Sequence, residues 1–145
     1  MTRPCSLLLP LLLDCIINLG HERVVELLLQ RGAATYKRNS NGWTALMQAA
    51  IDGYERVVEL LLWRGAEINL QNSIGVTALM IAATNGHERV LDLLLQRSAD
   101  ANLQSSGGFT ALMCAANNGH PAIVLCLLQA GVDTKSRSVT GMTAL

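Results

Sequence analysis

A 33-residue period constrains this chain more than any other feature. Gly42, Gly75, Gly108 and Gly141 keep that spacing, and so do Thr44, Thr77, Thr110 and Thr143. Ala45, Ala78, Ala111 and Ala144 follow, each with a Leu behind it. A second glycine series, Gly20, Gly53, Gly86 and Gly119, runs in parallel, and Ala49-Ala50, Ala82-Ala83 and Ala115-Ala116 fall between the two. Independent positions sharing one period mark an array of small supersecondary units. Each unit buries its apolar face only by stacking on its neighbours. The frame places units at 6–38, 39–71, 72–104 and 105–137, the start of a fifth at 138–145, and an extension at 1–5.

Each unit reads as two helices. The Asn-Ser-Asn-Gly turn at 39–42 leads into Thr44, placed to cap a short helix over roughly 45–51. The alanine pair lets the next unit approach closely, and Gly53 ends the helix. A second helix follows over roughly 54–64. Val57, Val58, Leu60, Leu61 and Leu62 cover more than one of its faces, as suits a helix with neighbours on several sides. Pro121 falls in the first turn of the equivalent helix, where no amide hydrogen is needed. Only 3% of the residues are aromatic although half are apolar, so the core must come from Leu, Ala, Val and Ile. That composition favours thin, closely stacked helices.

Gly-Trp-Thr-Ala-Leu-Met-Gln-Ala-Ala at 42–50, with its counterparts at 75–83 and 108–116, resembles the ankyrin-repeat motif. Gly-His-Glu-Arg-Val-Leu-Asp-Leu-Leu-Leu at 86–95 is similar to the second-helix motif of that family. The resemblance covers about residues 9–145. It implies an all-α solenoid of helix-turn-helix units joined by tight turns or short β-hairpin loops. There are two departures. Met47, Met80 and Met113 stand where the family carries a His that links repeats through hydrogen bonds, so soft apolar packing is expected there. The first unit lacks Thr-Ala-Leu-Met, yet Leu13, Ile16, Ile17 and Gly20 lie 33 before Leu46, Ala49, Ala50 and Gly53. The apolar stretch Leu7–Ile17 also has the look of a secretory signal, but no small-residue cleavage site follows it. It is too short and interrupted for a membrane span. An irregular first repeat helix accounts for it better. Neither end carries a clear polar cap, so a fragment of a longer array is expected.

Lys plus Arg equals Asp plus Glu at 11 each, which leaves no basic footprint for nucleic acid. Cys5, Cys15, Cys114 and Cys126 form no Cys-x-x-Cys pair and have no His at zinc-finger spacing. They read as reduced thiols of an intracellular, cytoplasmic chain, with the nucleus as the alternative compartment. His21, His87 and His120 each follow a series glycine, far apart along the stack, and Tyr54 takes the same place in unit two. A hydrogen bond at the helix start is the expected role, not a shared metal. No nucleophile motif, phosphate loop or acid/base pair is present, so no catalytic residue, metal or cofactor is expected. The Glu-Arg pairs at 22–23, 55–56 and 88–89 read as a solvated helix face.

The column between the turn glycine and the Thr reads Trp43, Val76, Phe109 and Met142. In ankyrin folds this position lies near the turn tips beside the concave groove. These residues either pack on their own loops or form a binding ridge. Trp43 is expected to stand outside the Ala-Leu packing frame. Asn41, Asp52, Ile74, Asn85 and Asn118 vary around the constant frame, as surface positions do. The expected function is a monomeric protein-interaction module that takes a protein or peptide in the groove. The alternative is a spacer in a longer ankyrin scaffold with no ligand of its own. Asn69 and Asn102 each follow an acidic residue by two and a Leu by eight. This resembles the context in which asparaginyl hydroxylases modify ankyrin repeats, although Asn is also a good turn residue.

Overall fold

Thr, Gly and Pro at fixed offsets cut the chain into short helices. A computed structural model describes Ile17 and residues 21–145. Among them are seven helices and no strand: α1 (Glu22–Gln30), α2 (Ala45–Asp52), α3 (Glu55–Trp63), α4 (Ala78–Asn85), α5 (Glu88–Gln96), α6 (Ala111–Asn117) and α7 (Pro121–Gln129). The all-helical stack anticipated from the period is the fold observed. The extension 1–5, Cys5, Cys15 and residues 7–16 of the signal-like stretch lie outside the described residues. Ile17 is helical and fully buried.

The helices form two rows. The first helices α2, α4 and α6 pack in series, the second helices α1, α3, α5 and α7 pack in series, and α2–α3, α4–α5 and α6–α7 pair across. Thr44, Thr77 and Thr110 hold extended backbone, and each Oγ1 accepts the amide three residues on, at 3.3, 3.3 and 3.4 Å. These bonds satisfy one of the orphan donors at each helix start. Gly53 and Gly86 close α2 and α4 in the left-handed region, at φ 73° and 76°. Pro121 opens α7.

Small residues set the spacing between units. Ala49, Ala50, Ala82, Ala83 and Ala115 are all fully buried, whereas Ala116 is exposed. Met47, Met80 and Met113 are buried, as core rather than surface. Leu46, Leu79 and Leu112 are buried as well, with Val57, Leu61, Leu91, Leu94, Ile123 and Leu127 from the second row.

The loops between units are stitched together. The amide of Ser73 donates to Asn41 O at 3.0 Å, that of Ser106 to Ile74 O at 2.9 Å, and that of Val139 to Gly107 O at 2.8 Å. Beside them, Gln71 Nε2 donates to Gly75 O and Gln104 O, and Gln104 Nε2 repeats the pattern on Gly108 O and Arg137 O. Each side chain therefore ties the end of its own unit to two carbonyls of the next, one at the start of that unit and one at its end. A Cβ on Gly42 would sit 3.0 Å from the Asn72 backbone, so this loop contact has no room for a side chain.

Candidate functional site

Short polar side chains fix the loop tips. Asn39 Oδ1 accepts the amides of Asn41 and Trp43 at 2.9 and 3.0 Å. Asn72 Oδ1 accepts those of Ile74 and Val76 at 3.1 and 2.9 Å. Ser105 and Ser138 do the same for Phe109 and Met142 with one hydroxyl oxygen each. The Nδ2 of Asn72 is buried without a partner, since its amide is used only through the oxygen. The column Trp43, Val76, Phe109 and Met142 is thus held at equivalent places in successive loops.

Its members are not equally offered to solvent. Trp43 and Val76 are half-buried and pack against the core. Trp43 therefore belongs partly to the packing frame it was expected to stand outside, because its indole packs against the core. Phe109 is half-buried and borders a cleft of about 220 Å³ with Met113, Ala116 and Met142. Met142 is 48% exposed. At the very tips Asn41 is exposed and Ile74 is 59% exposed. Asp52, Asn85 and Asn118 are exposed at the C-terminal ends of the first helices. Asn85 and Asn118 each donate Nδ2 to the carbonyl four residues back, at 2.9 and 2.8 Å.

The histidines act differently from expectation. His21, His87 and His120 make no side-chain cap bond. Instead His87 Nε2 lies 2.7 Å from Ile51 O, and His120 Nε2 lies 2.9 Å from Thr84 O. Each ring reaches back over the glycine that ends the preceding unit's first helix. A Cβ at Gly53 would meet His87 Nδ1 at 2.5 Å. So a polar link between units does exist, carried by these histidines while the methionines fill the core. Asn69 Oδ1 accepts the Asp100 amide at 2.8 Å, and Asn102 Oδ1 accepts the Asp133 amide at 2.8 Å. Both asparagines are exposed bridges between successive units.

A concavity lies on the second row of helices, between α1 and α3. It encloses about 510 Å³, with Leu29 and Leu60 among its lining and Trp63, Arg56, Arg64 and Arg97 around it. Trp63 is 73% exposed, and the Arg64 guanidinium lies 5.4 Å from its ring centroid. Trp63 is not among the residues that motif and composition single out. The available signal was a break in the period: Gln30, Gln96 and Gln129 occupy the equivalent place in the other units.

Cys114 and Cys126 are free, half-buried thiols. Burial pushes the Cys114 thiol up. Burial, then the hydrogen bond to Asp92 and the charges of Asp92 and Glu88, push that of Cys126 up to about 11. Its Sγ donates to Asp92 Oδ1 at 3.1 Å. Both are held protonated, the opposite of what a nucleophile requires. Among the described residues no three His, Cys, Asp or Glu side chains gather as for a metal ion, and no helix is long and apolar enough to cross a membrane.

No curated protein matches this chain. The family described as ankyrin repeats (3 copies) matches residues 10–72 and 49–138, most of the length. With capped helix pairs stacked in two rows at the same period, the chain belongs to the ankyrin-repeat family.

Proposed function

We propose that this chain is a protein-interaction module that holds a protein or extended peptide along the loop tips and the adjoining ends of α2, α4 and α6. The carrying observation is Ile74. It is a large apolar side chain, 59% exposed, at the tip of a loop fixed by Asn72 and bonded to the loop on either side. A rigid row of tips offering Asn41, Ile74 and the edge of Phe109 gives an anchor with little ordering entropy to lose. Asp52, Asn85 and Asn118 supply polar contacts beside it. Ankyrin repeats serve generally as interaction modules, and the spacer reading has no comparable observation behind it.

The test uses a photo-reactive residue at position 74 or at position 89, which lies on the opposite row. The protein crosslinked from position 74 is then purified and titrated. Ile74→Asp should weaken it by about 2 kcal/mol, roughly thirtyfold, with an unchanged unfolding midpoint. Trp43→Ala is a poorer probe, since the half-buried indole also packs on the core. Crosslinking only from position 89 would refute the tip surface, and crosslinking from neither would favour a spacer.

A further inference from the structure

The groove between α1 and α3 faces away from the loop tips and is built unlike the same place in the other units. Three units carry a polar Gln as the last residue of the second helix, whereas α3 ends on Trp63. At 73% exposed, the indole is the most exposed large apolar side chain among the described second-row helices, ahead of Leu125 at 59%. The Arg64 guanidinium lies over the ring, in cation–π range, and both side chains line the groove. Leu29 and Leu60 also line the groove and are themselves nearly buried, so they supply an apolar lining.

The charges around it are unevenly matched. Glu26 is paired with Arg23 at 3.1 Å, and Glu59 with Arg56 at 3.3 Å. That uses both carboxylates of the groove. Arg64 and Arg97, from successive second helices, line the same space, and among the described residues neither has a carboxylate in ion-pair range. The site thus combines an apolar lining, an exposed indole and two guanidiniums without acids. Trp and Arg are the residue types that most often dominate interfaces, and guanidinium forks match carboxylates in geometry.

We propose that this groove docks an acidic peptide segment of a partner protein, with an apolar side chain against Trp63 and flanking carboxylates on Arg64 and Arg97. The occupant is fixed by charge complementarity. A basic or neutral apolar segment would leave both guanidiniums unpaired, and a helix face closed by a second copy would bring the same surplus cations together. The proposal is independent of the loop-tip surface. If both hold, the module carries one partner on each row.

The probe is a short labelled peptide of Glu and Leu, with a counterpart in which every Glu is Gln. The full chain, labelled with ¹⁵N, has two indole N–H signals, assigned with Trp43→Phe and Trp63→Gln. Addition of the acidic peptide should move the Trp63 signal and leave that of Trp43. Trp63→Gln, which installs the residue of the other units at an exposed site, should weaken binding about tenfold or more, as should Arg97→Glu. Ile74→Asp should have no effect, and added salt should weaken the complex. Equal binding of the Gln counterpart would overturn the proposal, as would unchanged binding by Trp63→Gln or Arg97→Glu. Loss of binding in Ile74→Asp alone would also overturn it and place the peptide on the loop tips. A dimer in sedimentation that Trp63→Gln dissolves would overturn it in favour of a second copy. No peptide binding up to the solubility limit would overturn it outright.

Discussion

Replacing Gly53 by Ala and, separately, Gly119 by Ala separates two roles of the same residue. Both glycines hold a left-handed backbone, at φ 73° and 72°. A side chain in that region costs about 1–2 kcal/mol, and the smaller entropy of an unfolded Ala offsets part of this. Gly119→Ala should therefore lose about 1 kcal/mol, because nothing lies within 4 Å of its Cβ. Gly53→Ala carries the same backbone cost and also places its Cβ 2.5 Å from His87 Nδ1. The ring must move, and the 2.7 Å contact to Ile51 O goes with it. A net hydrogen bond is worth about 1 kcal/mol, so Gly53→Ala should lose about 2 kcal/mol in urea unfolding. His87→Ala alone should lose about 1 kcal/mol by the same count. Added to Gly53→Ala it should lose almost nothing more, whereas added to Gly119→Ala its cost should be additive. Equal losses for Gly53→Ala and Gly119→Ala would refute the histidine as a link between units.

Two further perturbations bear on the packing and the thiols. Ala82 is fully buried on α4, which packs between α2 and α6, so Ala82→Leu should cost about 1–3 kcal/mol by overpacking; an unchanged denaturation midpoint would show that this face is loose. Cys126 titrates at about 11 against an ordinary 9.0, partly through Asp92, so Asp92→Asn should lower its pKa and speed site-resolved iodoacetamide labelling at pH 8. Because the folded thiol holds its proton more tightly than the unfolded one, its contribution to stability is full below pH 9 and is lost as pH rises towards 11; labelling no faster in Asp92→Asn would show that the carboxylate does not govern this thiol.

The helices were legible because their ends are chemical punctuation. Thr44 starts α2 and Gly53 stops it whatever the neighbours do, so the expected span of roughly 45–51 differs from Ala45–Asp52 by one residue. The same local logic misdirected the histidines. A His beside a helix start suggests a cap, yet the partner of His87 is a carbonyl 36 residues away, brought within reach only when units stack. Trp43 shows a similar limit. The period marks its column as equivalent loop positions, but how much indole remains outside depends on how it packs against the core.

Periodicity identifies equivalent positions, and equivalence is evidence of packing, since every interface in the array must solve the same problem. Binding has the opposite signature. A partner touches particular units, so its contacts should appear where equivalent positions stop being alike. Ile74 meets this condition at the loop tips, where its counterparts are Asn41 and Gly107. Trp63 meets it on the second row, where its counterparts are Gln30, Gln96 and Gln129. A break alone is not sufficient, because Tyr54 in place of His is also a break and is half-buried against the core. The discriminating quantity is exposure, and sequence periodicity does not supply it. Only Ile74 and Trp63 among these three combine a change of residue class with a large apolar surface left in water. Those two positions, on opposite rows of helices, are therefore where substitution should separate binding from folding.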